Sequence, residues 1–234
     1  MRSGIAEFRG YTLLEALVAG TLLLVVFGSV FYFFSVGARG FSIGASQSET
    51  LSDFQAFARL VKRDLELTHY YSVSIVNRTA ETSRGTVNRQ GLSLAGLSDW
   101  GDDDHFEDAT GLPKWDRWIF FYANREDVGK LFRVEFARGP SAGGNYYPLR
   151  PRGADDLIPL MVGNPASLPG VLKSQSISRN VHAFAAKPDD AHQSVEIEFT
   201  TYANPSLRMT SQARDEEFKE TRVVVVPLNT YPPI

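Results

Sequence analysis

One acidic residue lies where the N-terminal sequence is otherwise apolar. Glu15 follows the stretch Tyr11–Leu14 and precedes the long apolar run 16–36. A carboxylate that has no partner close to hydrocarbon carries a free-energy cost of a few kcal/mol. The side chain therefore either marks the headgroup region of a bilayer or pairs with a positive charge, and the residue types alone leave both interpretations open.

Two further patterns could in principle support catalysis. Residues 139–143 match the Gly-x-Ser-x-Gly motif with Ser141 as nucleophile, but that motif works on a sharp turn from a strand into a helix. The segment that follows, GlyAsnTyrTyrProLeu, does not predict a helix. No two histidines have the spacing of metal ligands on one helix face, so we expect solvated or strand-surface positions for His69, His105, His182 and His192. We therefore predict no enzyme activity and no cofactor.

The acidic segment 99–108, AspTrpGlyAspAspAspHisPheGluAsp, could bind a hard cation. Calcium takes about six to eight oxygen ligands, but the spacing here does not match an EF-hand loop. Two interpretations remain, a solvated acidic loop or a calcium site that uses Asp102 and Asp104.

The composition excludes several classes of protein. The 234 residues include no cysteine, which excludes disulfides, thiolate nucleophiles and cysteine-ligated metal sites. The 24 Lys and Arg against 27 Asp and Glu give a net charge of −3, which argues against nucleic acid as a partner because that affinity comes from neutralising phosphates. With 43% hydrophobic and 22% charged residues the chain should contain a folded domain, and its length allows one domain or one domain with an appendage.

The appendage is an N-terminal segment long enough to cross a membrane. Residues 16–38 contain no charged side chain, and at about 1.5 Å per residue they cover the ~30 Å hydrocarbon core of a bilayer. Arg2 and Arg9 precede the span and only Arg39 follows it closely, which favours a cytoplasmic N-terminus. A buried core helix and a signal peptide cleaved near 35–38 are the alternatives.

Residues 9–16, ArgGlyTyrThrLeuLeuGluAla, together with this span, resemble the class III signal sequence of the type IV pilin family. The resemblance implies that a prepilin peptidase cleaves after Gly10 and that Tyr11 becomes the N-methylated terminus. It also assigns Glu15, with Thr12, to assembly, the carboxylate pairing with the terminal amine of a neighbouring subunit. The span lacks the proline that kinks the helix of many major pilins, which favours a minor subunit.

Beyond the span the sequence predicts an amphipathic helix. Apolar residues recur with helical spacing at Leu51, Phe54, Ala58, Val61 and Leu65, so one face should pack on a head domain. The glycines within 37–46 lower helix propensity and predict a bend or a melted turn. The resulting boundaries are 1–10 for a cleaved leader, 11–38 for the membrane helix, 39–68 for the amphipathic half and 69–234 for the head.

The rest of the chain has the two-residue period of β-strands. Val195, Ile197 and Phe199 alternate with polar residues, and turn residues separate two pairs of strands that should form hairpins. The Gly- and Pro-rich tract 139–170 should form loops. The predicted strands are 73–76, 92–94, 118–122, 130–136, 181–184, 194–202 and 222–226.

These elements predict an α+β fold in which a long N-terminal helix packs on an antiparallel sheet head, as in pilins. Residues 58–66 and the segment GlyLysLeuPheArg at 129–133 are similar to J-type minor pseudopilins of type II secretion and to W-type minor pilins. This resemblance implies a subunit near the tip of a bacterial filament, in the inner membrane with a periplasmic head. Its implied partners are other pilin or pseudopilin subunits through the N-terminal helix, the prepilin peptidase, the inner-membrane assembly platform and the lipid bilayer. The alternatives are a membrane-anchored periplasmic binding module that does not polymerise and an anchored hydrolase.

Overall fold

The computed structural model describes residues 12–139, 149, 151–202 and 218–230. The chain divides into two compact units, Met1–Ala45 and Ser46–Ile234. The long helix α1 runs from Leu13 to Glu66, 54 residues, and begins in the first unit and ends in the second. The helix continues without a break through residues 37–46, so the prediction of a melted turn there is wrong. Each glycine costs roughly 0.5–1 kcal/mol, too little to break helix between two strongly helical flanks.

The C-terminal part of α1 is anchored in the core of the second unit. Phe57, Val61 and Leu65 are fully buried, and Phe54 and Leu60 pack against the same cluster. Leu51 is half exposed, so the buried stripe begins one turn later than the periodicity predicts. The amphipathic half of the helix is otherwise confirmed.

The head is a curled antiparallel sheet, which confirms the predicted α+β fold. The strands are β1 Ser74–Val76, β2 Thr79–Thr82, β3 Gly85–Asn88, β4 Gly91–Gly96, β5 Arg117–Ala123, β6 Gly129–Ala137, β7 Val171–Asp189, β8 Ser194–Tyr202 and β9 Phe218–Val225. Within the described residues, seven of them form one sheet in the order β1-β4-β5-β6-β7-β8-β9, and β2 and β3 form a separate hairpin. A short helix α2, Ala154–Leu157, lies in the tract predicted as loops.

Both predicted hairpins are present, β5 with β6 and β7 with β8. The sheet curls because β7 is 19 residues long and changes partner along its length. Its first part pairs with β6 as far as Val181, and its second part pairs with β8 after a bulge at 181–183. The Gln90 backbone N–H donates to the Phe184 carbonyl at 3.0 Å, which brings the start of β4 back to β7.

Both faces of the sheet are covered, which explains why the central strands are apolar at successive positions. Ile119 and Phe121 of β5 face the cluster that contains α1, whereas Phe120 and Tyr122 face a second cluster. That second cluster also contains Leu157 from α2. The helix and the loop tract therefore enclose the sheet from opposite sides.

Two buried arginines join the segments where the sheet curls back. Arg89 is fully buried and its guanidinium donates to the carbonyls of His182, Asn124 and Asp127 at 2.7, 3.0 and 3.4 Å. Arg78 donates to carbonyls of Arg89, Ala123 and Met161. Burial lowers the pKa of Arg78 to about 10. These two cations therefore hold together backbone segments that are far apart in the sequence.

Candidate assembly site at the helix N-terminus

Thr12 and Glu15 form a reciprocal cap at the start of α1. The Thr12 backbone N–H and hydroxyl donate to Glu15 Oε2 at 2.9 and 3.0 Å. In return, the Glu15 backbone N–H donates to Thr12 Oγ1 at 3.3 Å. This is the capping box, in which a Thr and a Glu three residues later satisfy backbone donors that a helix start leaves unpaired.

The cap supplies Glu15 with a partner inside its own chain, which the sequence argument did not foresee. The local signal was present, because Thr-x-x-Glu before an apolar run is the signature of a capping box. Both donors of Thr12 use Oε2, and Glu15 Oε1 accepts no hydrogen bond from the described residues. A further donor can therefore approach this carboxylate without displacing the cap.

The two residues of the predicted processing site, Gly10 and Tyr11, lie outside the described residues. Their roles stay predictions from the resemblance. A cut after Gly10 would leave Thr12 as the second residue with its amide N–H intact. The capping box is thus compatible with both the full-length and the shortened chain.

The segment after the cap is the membrane-capable part of α1. Leu13–Ala38 has 26 residues, is long and apolar enough to cross a membrane, and its apolar side chains are exposed. Three hydroxyls within it donate to helix carbonyls one turn earlier, at 2.8–2.9 Å. Their hydrogen-bonding capacity is therefore met inside the helix, as a lipid environment requires. These hydroxyls belong to Thr21, Ser29 and Ser35.

The surface of this segment is suited to lipid and to another helix. Four consecutive aromatic side chains, residues 31–34, are each at least 65% exposed near its C-terminal end, where a membrane interface favours aromatic rings. Positions Gly20 and Gly28 have open space where a Cβ would stand. Glycine on an exposed membrane helix lets a second helix approach closely.

The acidic loop uses part of its carboxylates for its own turns. Asp102 Oδ1 accepts from the Asp104 backbone N–H at 3.0 Å and caps a short 3-10 turn, and the Asp104 carbonyl accepts from Lys114 Nζ. In the part of the chain that the structure describes, no group of three or more His, Asp or Glu side chains is placed to hold a metal ion. The calcium site at Asp102 and Asp104 stays a prediction.

Of the residues considered for catalysis, Ser141 lies outside the described residues. His69 is buried three residues beyond the end of α1 rather than on the surface, which corrects the prediction for this histidine. It follows the buried Thr68 and packs against the ring of Tyr71, because the chain turns into the head there.

Comparisons with protein-family models, with curated proteins and with solved structures gave no match for this chain. The layout of a long apolar N-terminal helix followed by an antiparallel sheet is consistent with a pilin-like fold. The finer resemblance, to minor pilins and pseudopilins, depends on residues 9–16, 58–66 and 129–133.

Proposed function

We propose that this chain is a minor pilin or pseudopilin, a subunit of a bacterial type IV pilus or type II secretion filament that acts by assembly. Cleavage after Gly10 exposes the amine of Tyr11, and Glu15 of an adjoining subunit pairs with such an amine. The helix inserts in the inner membrane with a cytoplasmic N-terminus and a periplasmic head. From there the subunit enters the filament, at or near its tip.

The observation that carries this proposal is the position of the Glu15 carboxylate. It stands at the first turn of a fully exposed apolar helix, it is held in place by Thr12, and one of its oxygens is unused by the described residues. A simple membrane anchor has no need for an acid at this depth. An acid that pairs with a neighbour's ammonium stabilises a helix bundle, because each charge satisfies the other away from water.

The second candidate, an anchored binding module that does not polymerise, is favoured by a cavity in the head. This cavity has about 570 Å³ and is lined by residues of β1, β7 and β8, among them Ile75, Lys187 and Glu198. Cavities of this size accommodate small ligands. The two candidates differ in what touches the span: lipid alone for an anchor, other subunits for a filament protein.

Photocrosslinking through the span separates these two functions. A benzophenone amino acid at Leu17 or Leu24, both exposed, should give protein adducts in native membranes. We expect the adducts to contain chains that carry a glycine followed by a glutamate five residues later and an uncharged span. In the Glu15→Gln background these adducts should decrease strongly, because the charge pair that draws the helices together is lost.

Two results would contradict assembly. Adducts with lipid only, at both positions, would favour the anchored module. Protein adducts of unchanged yield in the Glu15→Gln background would show that the helices meet without the proposed pair.

A further inference from the structure

Five charged side chains, two from α1 and three from the sheet, form a continuous row of alternating charge. Arg63 Nη2 lies 2.7 Å from Asp64 Oδ1, and Arg133 Nε lies 2.5 Å from Asp64 Oδ2. Arg133 Nη1 donates to Glu135 Oε1, and Arg117 Nη1 lies 2.5 Å from Glu135 Oε2. Each of the two carboxylates thus bridges two guanidinium groups, and an arginine stands at each end of the row.

The middle of the row is buried and its ends are open. The side chains of Asp64, Arg133 and Glu135 are 4–6% exposed, against 56% for Arg63 and 31% for Arg117. Burial alone raises the pKa of Glu135, but the hydrogen bonds and charges of Arg133 and Arg117 hold that pKa below its ordinary value. Each carboxylate accepts hydrogen bonds from two guanidinium groups, whereas the end arginines keep nitrogen donors that make no hydrogen bond to the described residues.

The row lines a cavity of about 330 Å³ whose charge is opposite to that of the whole chain. Lys173 lies opposite Glu135 in the β6–β7 register and adds a fourth cation to this lining. Four cations against two carboxylates give the lining a net charge of +2, in a chain of net charge −3. Leu97 and Trp100 contribute apolar surface to the same cavity.

One of the end arginines has an unused donor that is already desolvated. Arg117 Nε is buried and makes no hydrogen bond within the described part of the chain; Asp116 Oδ1 stands 4.0 Å away, beyond hydrogen-bonding distance. A buried donor without an acceptor costs about 1–3 kcal/mol, so the hydrogen bonding of the Arg117 guanidinium is incomplete. Guanidinium groups form strong, often bidentate, hydrogen bonds with carboxylates, as the row itself shows at Asp64 and Glu135.

We propose that this cavity binds a glutamate or aspartate side chain from an acidic segment of a partner protein. The incoming carboxylate extends the row of alternating charge beyond Arg117. It lies beside Arg117 and Lys173, as Asp64 and Glu135 each lie beside two arginines within the row. Trp100 and Leu97 cover its methylene groups. This site is independent of the span and of Glu15, so it stands whether or not the chain enters a filament.

The test measures binding of a fluorescein-labelled oligoglutamate peptide to the full chain in a non-ionic detergent, by fluorescence anisotropy at low salt. We expect saturable binding that Lys173→Gln weakens by about three- to tenfold, since one charge pair is lost. Arg117→Gln should weaken it further. Because Arg117 also supports buried Glu135, the exposed Lys173 is the primary position.

Arg59→Gln is the matched control, because Arg59 is an exposed arginine of α1 that does not line the cavity. Its binding should equal that of the unsubstituted chain. Absence of saturable binding, or equal weakening by Arg59→Gln and Lys173→Gln, would overturn the site. An oligoglutamine peptide that bound as tightly as oligoglutamate would also overturn it, since charge would then play no part.

Discussion

Replacing Glu15 by glutamine should leave processing after Gly10 unchanged and reduce incorporation into filaments by about a hundredfold. Glutamine at this position still accepts the hydrogen bonds of Thr12, so the helix start stays capped. The charge that pairs with a neighbour's amine is lost, and an uncompensated ammonium in an apolar bundle costs about 3–5 kcal/mol. Incorporation is measured by immunoblotting sheared filaments against the membrane fraction.

Thr12→Ala is the control that separates pairing from capping. It removes the hydroxyl of the cap, which costs about 1 kcal/mol, and keeps the Glu15 carboxylate. Incorporation should therefore fall by only a few-fold. If Thr12→Ala and Glu15→Gln lower incorporation equally, helix capping explains the effect and the charge pair does not.

Gly129→Ala should destabilise the head by about 3 kcal/mol or more. A Cβ at this position would stand 1.4 Å from Nη1 of Arg89, a side chain that is fully buried. Arg89 cannot yield without breaking its hydrogen bonds to backbone carbonyls, and a displaced buried cation is costly. Urea unfolding of the full chain in detergent, followed by tryptophan fluorescence, measures the loss.

Gly163→Ala is the matched substitution at an exposed glycine, where a Cβ would meet Glu126 Oε1 at an ordinary 3.9 Å. It should change the free energy of unfolding by less than about 0.5 kcal/mol. Adding Gly129→Ala to Arg89→Ala should cost little beyond Arg89→Ala alone, because the clash is gone. A full additional loss in that double variant would show that the contact with Arg89 is not the cause.

Most strands of the sheet can be predicted from the sequence, because a strand with one buried face alternates apolar and polar residues along the chain. Val195, Ile197 and Phe199 are fully buried in β8, as their alternation indicates. The first half of β7 has no such sequence signal, because its residues, ValLeuLysSerGlnSer, are mostly exposed in the sheet and show no alternation. The hairpin β2–β3 lacks the signal for the same reason, since only Ala80 of its eight residues is buried.

The burial of charged side chains is the feature of the fold that patterns of neighbouring residues could not predict. Asp64 follows the exposed Arg63 on α1, yet its own side chain is buried against Arg133, 69 positions away. Arg89 likewise depends on carbonyls from two distant segments, one at His182 and one at Asn124 and Asp127. The favourable contacts of such groups join residues that are distant in the sequence and form only when the chain folds. A short stretch of sequence therefore gives no sign of them.

At the N-terminus of α1, by contrast, the structure of the candidate site can be predicted from neighbouring residues, whereas its function cannot. The Thr12–Glu15 cap is a local motif, and its geometry follows from the Thr-x-x-Glu spacing. The processing residues Gly10 and Tyr11 are recognised by another protein, so their role is a property of a complex. Only a measurement on the mature chain can test it.

The most direct test of the proposed function is the intact mass of the protein purified from the native membrane. We expect a chain that lacks Met1–Gly10 and carries one additional methyl group, on Tyr11. The Gly10→Ala chain should retain its leader under the same conditions. A mature protein that still begins at Met1, or begins at Tyr11 without the methyl group, would contradict the proposed processing and assembly.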